Sequence, residues 1–269
     1  MQRLNRGRAR ASGFTLVELA VVVLVITLLL GSLLIPLATQ VDQRNVAETQ
    51  KRLQEVKEAL LGYAMANGRF PCPAGNAAGD TGVEKFLNPP GDSAVNGNCS
   101  NFYNGYVPGI TLGLSNLDSQ GFVVDAWGLQ QNRIRYAITN GLTNAFTKQG
   151  GMRGVGIQGL GTPTNGGGTP MLYVCASSTG ATATNCGPAA NTLSDGDTVF
   201  IVYSLGKNAA TSGAPGAATG DELLNLNGAN PVFVSRTTST QAGVEFDDIV
   251  LYSSRSSIIS QMTVAGQLP

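Results

Sequence analysis

The chain has 269 residues, in which 17 Lys and Arg residues balance 17 Asp and Glu residues, and it contains no histidine. The lack of histidine excludes catalytic triads that contain histidine, acid/base catalysis by imidazole and histidine-ligated metals. The formal net charge of zero gives no overall electrostatic reason to expect nucleic-acid binding. Hydrophobic residues form 42% of the chain, a share that argues against wholesale disorder and allows one substantial core.

The N-terminal region separates basic from apolar residues. Residues 1–13 carry four arginines and no acid, and an apolar run extends from Phe14 to Leu37. As a helix, this run would be about 36 Å long, enough to cross a bilayer core of roughly 30 Å. Basic residues ahead of an apolar run hold that end in the cytoplasm, so the chain beyond about residue 40 is expected outside it. The run is too long for a cleaved secretory signal, and an uncleaved membrane anchor is the alternative interpretation.

Glu18 is an acid inside this apolar run, where an ionisable side chain is costly unless it has a partner. The residues from Arg10 to Glu18, RASGFTLVE, and the aliphatic stretch after them resemble the start of type IV prepilins and type II secretion pseudopilins. The resemblance implies that prepilin peptidase cuts between Gly13 and Phe14 and N-methylates Phe14. It also implies that Glu18 meets the terminal amine of a neighbouring subunit, so that ammonium and carboxylate neutralise each other in an apolar bundle.

One long helix is predicted from residue 14 to residue 66, about 80 Å in length. Residues 14–40 would form a transmembrane and filament-core half, and residues 41–67 an amphipathic half with apolar residues at helical spacings. Asn67-Gly68 is a suitable left-handed end for this helix. Pro36 removes a helical hydrogen bond, and the resemblance implies a hinge there that serves filament packing. A tolerated membrane proline and two helices broken at Pro36 are the alternatives.

Beyond residue 68 the sequence alternates short β-rich segments with loops rich in Gly, Asn, Ser and Pro. Strands without intervening helices predict an antiparallel sheet, with loops at 75–101 and 150–170 and a short helix at 256–265. The expected fold class is therefore α+β, a type IV pilin-like fold whose long N-terminal helix packs on an antiparallel β-sheet head at 68–269. The predicted strands are Val107–Leu112, Ile134–Thr139, Met171–Cys175, Thr198–Ser204, Val232–Ser235 and Phe246–Tyr252.

Four short blocks in the head resemble segments of larger pilin-like proteins of Gram-negative bacteria. The resemblance indicates a subset with enlarged heads, without indicating the machine that it serves. A head of this size favours a minor subunit over a shaft-forming one. The blocks are Gly68–Pro73, Asp125–Gly128 with Arg135-Tyr136, Tyr203–Asn208 and Ala265–Pro269.

Four cysteines, Cys72, Cys99, Cys175 and Cys186, lie in the part of the chain expected outside the cytoplasm, where disulfides persist. They allow three connectivities. Pairing of neighbours, Cys72–Cys99 and Cys175–Cys186, is expected to close two long loops. A zinc site is the alternative, but no pair of these cysteines has the short spacing typical of one.

We expect the protein to bind no metal and no cofactor. Four acids are nonetheless calcium candidates, because Ca²⁺ is a hard cation bound by oxygen ligands: Asp195, Asp197, Asp247 and Asp248. An Asp-Gly pair is equally a turn signal, and two acids in a row equally end a strand. Gly154–Gly159 matches the G-x-G-x-x-G pattern of dinucleotide-binding folds. The Gly- and Pro-rich residues after it do not predict the helix that such a site needs, so the match is interpreted as chance.

The function expected from the resemblance is structural: the chain is not an enzyme but a subunit of a type IV pilus or type II secretion filament. Its partners would be prepilin peptidase, other pilin or pseudopilin subunits, an inner-membrane assembly platform and membrane lipid, with no nucleic acid. It would span the bacterial inner membrane once, with a periplasmic head, before it enters the filament. The alternative is a filament-displayed head that binds a surface or a secreted substrate. Removal of residues 1–13 would leave 13 basic against 17 acidic side chains, a mildly acidic mature protein.

Overall fold

In the computed structural model the chain is α+β and divides into two compact units, Met1–Arg44 and Asn45–Pro269. The described residues are 15–128, 132–161, 171–209, 220–226, 228, 230–239, 241 and 245–268, with the backbone alone for residues 30–38. The elements in chain order are α1 (Leu16–Asn67), β1 (Gly105–Tyr106), α2 (Gly109–Leu112), β2 (Arg135–Ile138), α3 (Gly141–Asn144), α4 (Gly151–Gly161), β3 (Leu172–Cys175), β4 (Thr192–Ser204), α5 (Asp221–Leu226), β5 (Val232–Val234), β6 (Ile249–Ser254) and α6 (Arg255–Val264).

Helix α1 ends where the sequence changes from helix formers to glycine and proline. Gly68 adopts a left-handed conformation with φ of 67°, which costs glycine nothing sterically, and its N–H donates to the carbonyl of Ala64 at 2.8 Å. In the second unit, apolar residues of α1 at spacings of three and four are buried in one core with Tyr136 and Phe200 of the sheet. The buried residues of α1 in this core are Leu53, Val56, Leu60, Leu61 and Ala64.

Strand β4 is the centre of the six-stranded sheet, whose order is β1-β2-β4-β3-β5 with β6 also beside β4. One edge of β4 pairs with β3 up to Thr198 and then with β2 from Phe200 onward. The other edge pairs with β6 between Thr198 and Ser204. The length of 13 residues therefore lets β4 serve three neighbouring strands.

The second half of β4 is apolar at successive positions because both faces of the sheet are covered there. Phe200 and Val202 lie in the core that includes α1. Ile201 and Tyr203 lie in a second apolar cluster, since side chains along a strand alternate between its two faces. This cluster also contains Phe233 of β5, so the strand joins two layers of packing.

The predicted type IV pilin-like fold class is wrong in two respects. Among the described residues, no helix is both long and apolar enough to cross a membrane. The exposed apolar side chains described near the start of α1 run from Leu16 to Leu29, about 21 Å of helix against a bilayer core of roughly 30 Å. The sheet is also mixed rather than antiparallel, because β3 and β5 run parallel with Tyr173 opposite Val232. Helix α5 lies in the connection that carries the chain from β4 to β5.

The predicted strand Val107–Leu112 is also wrong, whereas each of the other five predicted strands is confirmed by an observed strand that overlaps it. Pairing in this region is confined to β1, and the next residues form α2. Pro108 stands directly before α2 and has no N–H to donate to a neighbouring strand. Gly113, with φ of 67°, closes the short helix.

Residues 151–161 were expected in a loop but form α4, which is broken at Gly156 by a φ of 72°. Met152 and Leu160 of this helix are buried in the main core. Their burial compensates for the poor helix propensity of a glycine-rich sequence. The G-x-G-x-x-G match lies inside α4 and follows α3, so it lacks the strand that precedes a dinucleotide-binding loop.

The change Leu60→Ala tests the packing of α1 on the sheet. Leu60 is fully buried, so truncation removes apolar contacts and leaves a cavity; we expect the free energy of unfolding to fall by about 2–5 kcal/mol. Met65→Ala, at an exposed position of the same helix, should change it by less than about 0.5 kcal/mol. Urea unfolding followed by tryptophan fluorescence measures both variants. Equal effects would contradict the packing described.

Candidate functional sites

The first turn of α1 is closed by Thr15 and Glu18. The backbone N–H and the hydroxyl of Thr15 each donate to Glu18 Oε2 at 2.9 Å, and the Glu18 N–H returns a hydrogen bond to Thr15 Oγ1 at 3.3 Å. This reciprocal pattern is a capping box, which satisfies donors that a helix N-terminus leaves open. The hydrogen bond from the Thr15 backbone lowers the pKa of Glu18. Glu18 is therefore an exposed, charged helix cap in the single chain.

The residues after this cap form an exposed apolar surface, which we call the apolar segment, Leu16–Leu29. Its large side chains are exposed, to 85% at Leu16 and to 68% at Leu28. The consecutive residues Val21–Ile26 are all exposed, so apolar side chains surround the helix rather than form one stripe. Soluble proteins rarely leave such a continuous apolar surface uncovered.

The predicted processing residues Gly13 and Phe14 lie outside the described residues. Pro36 lies within the bounds of α1, where the backbone alone is described. The cleavage site and the hinge at Pro36 therefore stay predictions.

The structure contains two disulfides, Cys72–Cys99 and Cys175–Cys186, with Cα–Cα distances of 5.3 and 5.4 Å. Each disulfide joins one cysteine to the next cysteine along the chain, and none of the four cysteines is free. The alternative of a zinc site is wrong, because a sulfur in a disulfide is not a metal-binding thiolate. Each bridge closes a loop-rich stretch, with sequence separations of 27 and 11 residues.

Asp125 joins two of the sequence blocks inside the head. It is fully buried, and its Oδ2 accepts from Ser204 Oγ at 2.6 Å and from Asn132 Nδ2 at 3.0 Å. Burial raises the pKa of Asp125. The same Asn132 nitrogen donates to the Gly206 carbonyl at 2.6 Å, and Arg52 of α1 donates to the Asp125 carbonyl at 2.7 Å. This network ties the helix, the Asp125 loop and the turn after β4 together.

A second polar group, which we call the acid cluster, consists of Glu222, Asp247 and Asp248. One carboxylate oxygen from each residue lies within 4.8 Å of the others. Glu222 is in the first turn of α5, and the two aspartates stand directly before β6. Asn208, in the turn after β4, donates Nδ2 to both Glu222 oxygens at 3.1 and 3.0 Å and its N–H to Asp247 Oδ2 at 2.9 Å. Three separate parts of the chain therefore meet at this cluster.

Burial dominates the electrostatics of the acid cluster. It raises the pKa of Asp247 to about 6, and the like charge of Glu222 adds to the shift. It raises the pKa of Asp248 well above its ordinary value, although Asn225 Nδ2 donates to Oδ2 at 2.7 Å. The Oδ1 atoms of Asp247 and Asp248 are buried and have no hydrogen-bond partner within the described part of the chain. Such a group is suited to hold shared protons or a cation.

The acid cluster contains two of the four predicted calcium candidates, Asp247 and Asp248. The other two lie on β4: Asp197 pairs with Arg255 at 2.7 Å, and Asp195 is exposed. Glu222 was not among the candidates, because no local pattern links it to residues that follow it by about 25 positions. Only the fold places α5 beside the chain that enters β6.

No protein-family model, curated protein or solved structure matches the chain. The resemblance of its first residues to prepilins therefore stays a prediction.

The raised pKa of Asp247 predicts a pH dependence of stability in metal-free buffer. Between the unfolded value of 3.8 and the folded value of about 6, the folded protein binds more protons than the unfolded chain. The contribution of this group is therefore fully present at low pH and is lost as the pH rises through about 6. Asp247→Asn should gain stability relative to the natural protein between about pH 4 and pH 7, by about 1 kcal/mol because solvent screens part of the shift.

Urea unfolding across this pH range measures the difference between the two proteins. The groups that act on the pKa of Asp247 besides its own burial are Glu222, through its charge and a side-chain hydrogen bond, and the backbone N–H groups of Lys207 and Asn208. Asp195→Asn, at an exposed acid outside the cluster, is the control and should show no such gain. A stability difference for Asp247→Asn that stays constant or shrinks with rising pH would contradict the raised pKa.

Proposed function

We propose that the chain is a structural subunit of a type IV pilus or type II secretion filament, processed by prepilin peptidase between Gly13 and Phe14. The observation that carries the proposal is the exposed apolar segment, with its single acid, Glu18, in the first turn of α1. An apolar surface of this extent is favourable in water only when another apolar surface covers it. Copies of the same helix provide a surface of matching length and chemistry.

The distribution of apolar side chains favours a bundle over a pair. A helix with one apolar stripe pairs with one neighbour, whereas a helix that is apolar all round is buried on every side. Each Leu, Val or Ile side chain that leaves water contributes about 1.5–3 kcal/mol. Several neighbours around each apolar segment recover more of this free energy than one neighbour does. A filament with the segments packed along its centre meets this requirement.

Glu18 gives such a bundle a fixed register. Burial of its carboxylate among apolar helices is costly unless an opposite charge comes with it. Cleavage after Gly13 would create a new amine at Phe14, and the amine of a neighbouring copy can supply that charge. The capping hydrogen bonds from Thr15 hold the carboxylate at the end of the helix, where a neighbour can approach it.

The head region supports a location outside the cytoplasm. Two disulfides hold it together, and disulfides persist in oxidising compartments such as the periplasm. In this proposal the chain is a substrate of the peptidase and a building block, not an enzyme. Its other partners are further subunits and an assembly platform, and the head sets its place in the filament.

Replacement of Gly13 tests the processing step. Gly13→Leu places a bulky side chain at the proposed cut, so co-expression with a prepilin peptidase should leave the precursor 13 residues longer than the processed protein. Gly7→Leu alters a glycine elsewhere in the leader and should be processed normally. Intact-mass spectrometry reads both results and also detects the added methyl group. Normal shortening of the Gly13→Leu protein would refute the cleavage site.

The variants Glu18→Gln and Glu18→Val separate the two roles of this residue. Glutamine can keep the capping box but cannot neutralise an amine, so Glu18→Gln should be processed normally and yet give at least tenfold fewer filaments. Glu18→Val loses both roles and should assemble no better. The yield of sheared filaments, normalised to processed subunit, measures assembly. Full assembly of Glu18→Gln would show that Glu18 acts as a helix cap alone.

A further inference from the structure

We propose that the head binds one neutral sugar residue in a surface cavity at β1. The cavity is lined by the loop at 76–79 and by Tyr106, Gln120 and Arg133, and its volume is about 270 Å³. Pockets for drug-sized molecules measure about 300–1,000 Å³, so a cavity of this volume fits one small ligand. A single sugar ring is a ligand of this size.

Arg133 provides a second observation that points to a ligand. It is only 8% exposed, yet it lines the cavity. Its Nε donates to Asp118 Oδ2 at 2.7 Å, and its Nη2 donates to Gln120 Oε1. Its guanidinium also lies 4.2 Å from the centre of the Phe122 ring. These contacts fix the planar group but use no hydrogen of Nη1 within the described part of the chain, so the Nη1 hydrogens can be donated to a ligand.

The cavity offers hydrogen-bond acceptors as well as donors. Asn76 is exposed, and its Nδ2 donates to the Asn104 carbonyl at 2.8 Å, so its Oδ1 can accept from a ligand. Tyr106 lines the same cavity, and its hydroxyl can both donate and accept. A ligand that satisfies these groups must carry several polar groups that both donate and accept. Neighbouring hydroxyls of a sugar ring meet this requirement, because each hydroxyl is a donor and an acceptor.

The charges at the cavity favour a neutral ligand over an anion. Among the described residues that line it, Arg133 alone is charged, and Asp118 Oδ2 pairs with its Nη2 at 2.6 Å. The two charges balance each other, and Asp118 would repel an anion bound to the same guanidinium. Arg135 lies 5.5 Å from the centre of the Tyr106 ring, but it donates to Asn104 and does not line the cavity.

The cavity also has an apolar part, which Tyr106, Ala77 and Ala78 contribute beside the polar groups. A sugar ring carries hydroxyls at its edge and C–H groups on its faces, so it presents polar and apolar surface together. Tyrosine suits such a ligand because its ring is apolar and its tip is polar. An entirely apolar ligand would leave the polar groups of the cavity without partners, which is costly.

Hydrogen bonds within the chain hold the walls of the cavity in place. Tyr106 exchanges two backbone hydrogen bonds with Ala74, at 2.9 and 3.1 Å. Asp80 fastens the loop at 76–79, because its Oδ2 accepts from the Ala77 N–H at 2.9 Å. The other oxygen of Asp80 accepts from Lys85 Nζ at 2.6 Å. A site that is arranged before binding loses less conformational entropy when the ligand enters.

The test uses the full chain in detergent and a panel of free sugars: glucose, galactose, mannose and N-acetylglucosamine. Saturation-transfer NMR should detect binding of at least one of them, and a titration gives its Kd. Tyr106→Phe removes one hydroxyl from the cavity and should raise Kd about fivefold, the cost of one neutral hydrogen bond. Tyr252→Phe, the matched control at a half-buried tyrosine of β6, should keep the natural Kd.

Arg133→Lys tests the guanidinium. Lysine keeps a positive charge beside Asp118 but lacks the Nη1 donors, so Kd should rise about tenfold or more. An array of immobilised oligosaccharides separates two sources of the same sugar. Tighter binding to the array than to the free sugar would assign the site to the terminal residue of a surface glycan, and equal binding would assign it to the free sugar.

Circular dichroism establishes that each variant is folded, and Tyr106→Phe decides the outcome if Arg133→Lys does not fold. The proposal would be overturned if the natural protein bound no sugar of the panel or the array. An unchanged Kd in folded Tyr106→Phe, or loss of binding in Tyr252→Phe, would overturn it as well. Tighter binding of inorganic phosphate than of any sugar would contradict a neutral ligand. Sugar binding is measured on the unassembled chain, so its failure is distinct from a failure of filament assembly.

Discussion

The burial of β4 between two apolar layers is the interaction on which the rest of the head depends. Phe200 of this strand packs against Phe70 and Tyr136, with ring centroids 5.3 and 6.3 Å apart. The Tyr136 hydroxyl donates to the Pro71 carbonyl at 3.2 Å, which fixes the chain that leaves α1. On the opposite face Tyr203 packs against Phe233 at 5.5 Å. The strand therefore holds α1, the first disulfide-bonded stretch and β5 in one structure.

The end of β4 and the turn after it position the buried polar groups of the head. Ser204, the last residue of β4, donates to Asp125, and Asn208, in the turn, donates to Glu222 and Asp247. Between them, Gly206 permits the close approach to Asp247. Two buried polar networks are thus placed by one five-residue segment. An error in the packing of β4 would disturb both networks together.

Sequence reasoning worked where one local signal decides the structure. Gly68 ended α1 because glycine adopts the left-handed conformation, and five strands were placed by their runs of β-branched and aromatic residues. Sequence reasoning was wrong or incomplete where contacts between residues distant in the chain determine the structure. The parallel pairing of β3 with β5, the helix α4 in a glycine-rich stretch, and the approach of Glu222 to Asp247 all depend on residues distant in the chain. The capping box of Thr15 and Glu18 has the local signature T-x-x-E, yet it was not among the predictions.

The two units of the chain differ in the exposure of their apolar side chains to water. The head buries its apolar side chains internally, whereas the apolar segment exposes its own. The central claim is that other copies of the chain cover this segment. A photo-crosslinking amino acid at position 22, in place of Val22, tests the claim directly in assembled protein. We expect crosslinked dimers whose joined peptides both contain residues of the apolar segment, and no such product from position 95, an exposed position of the head. Crosslinks confined to other proteins or to the head of the same chain would contradict it.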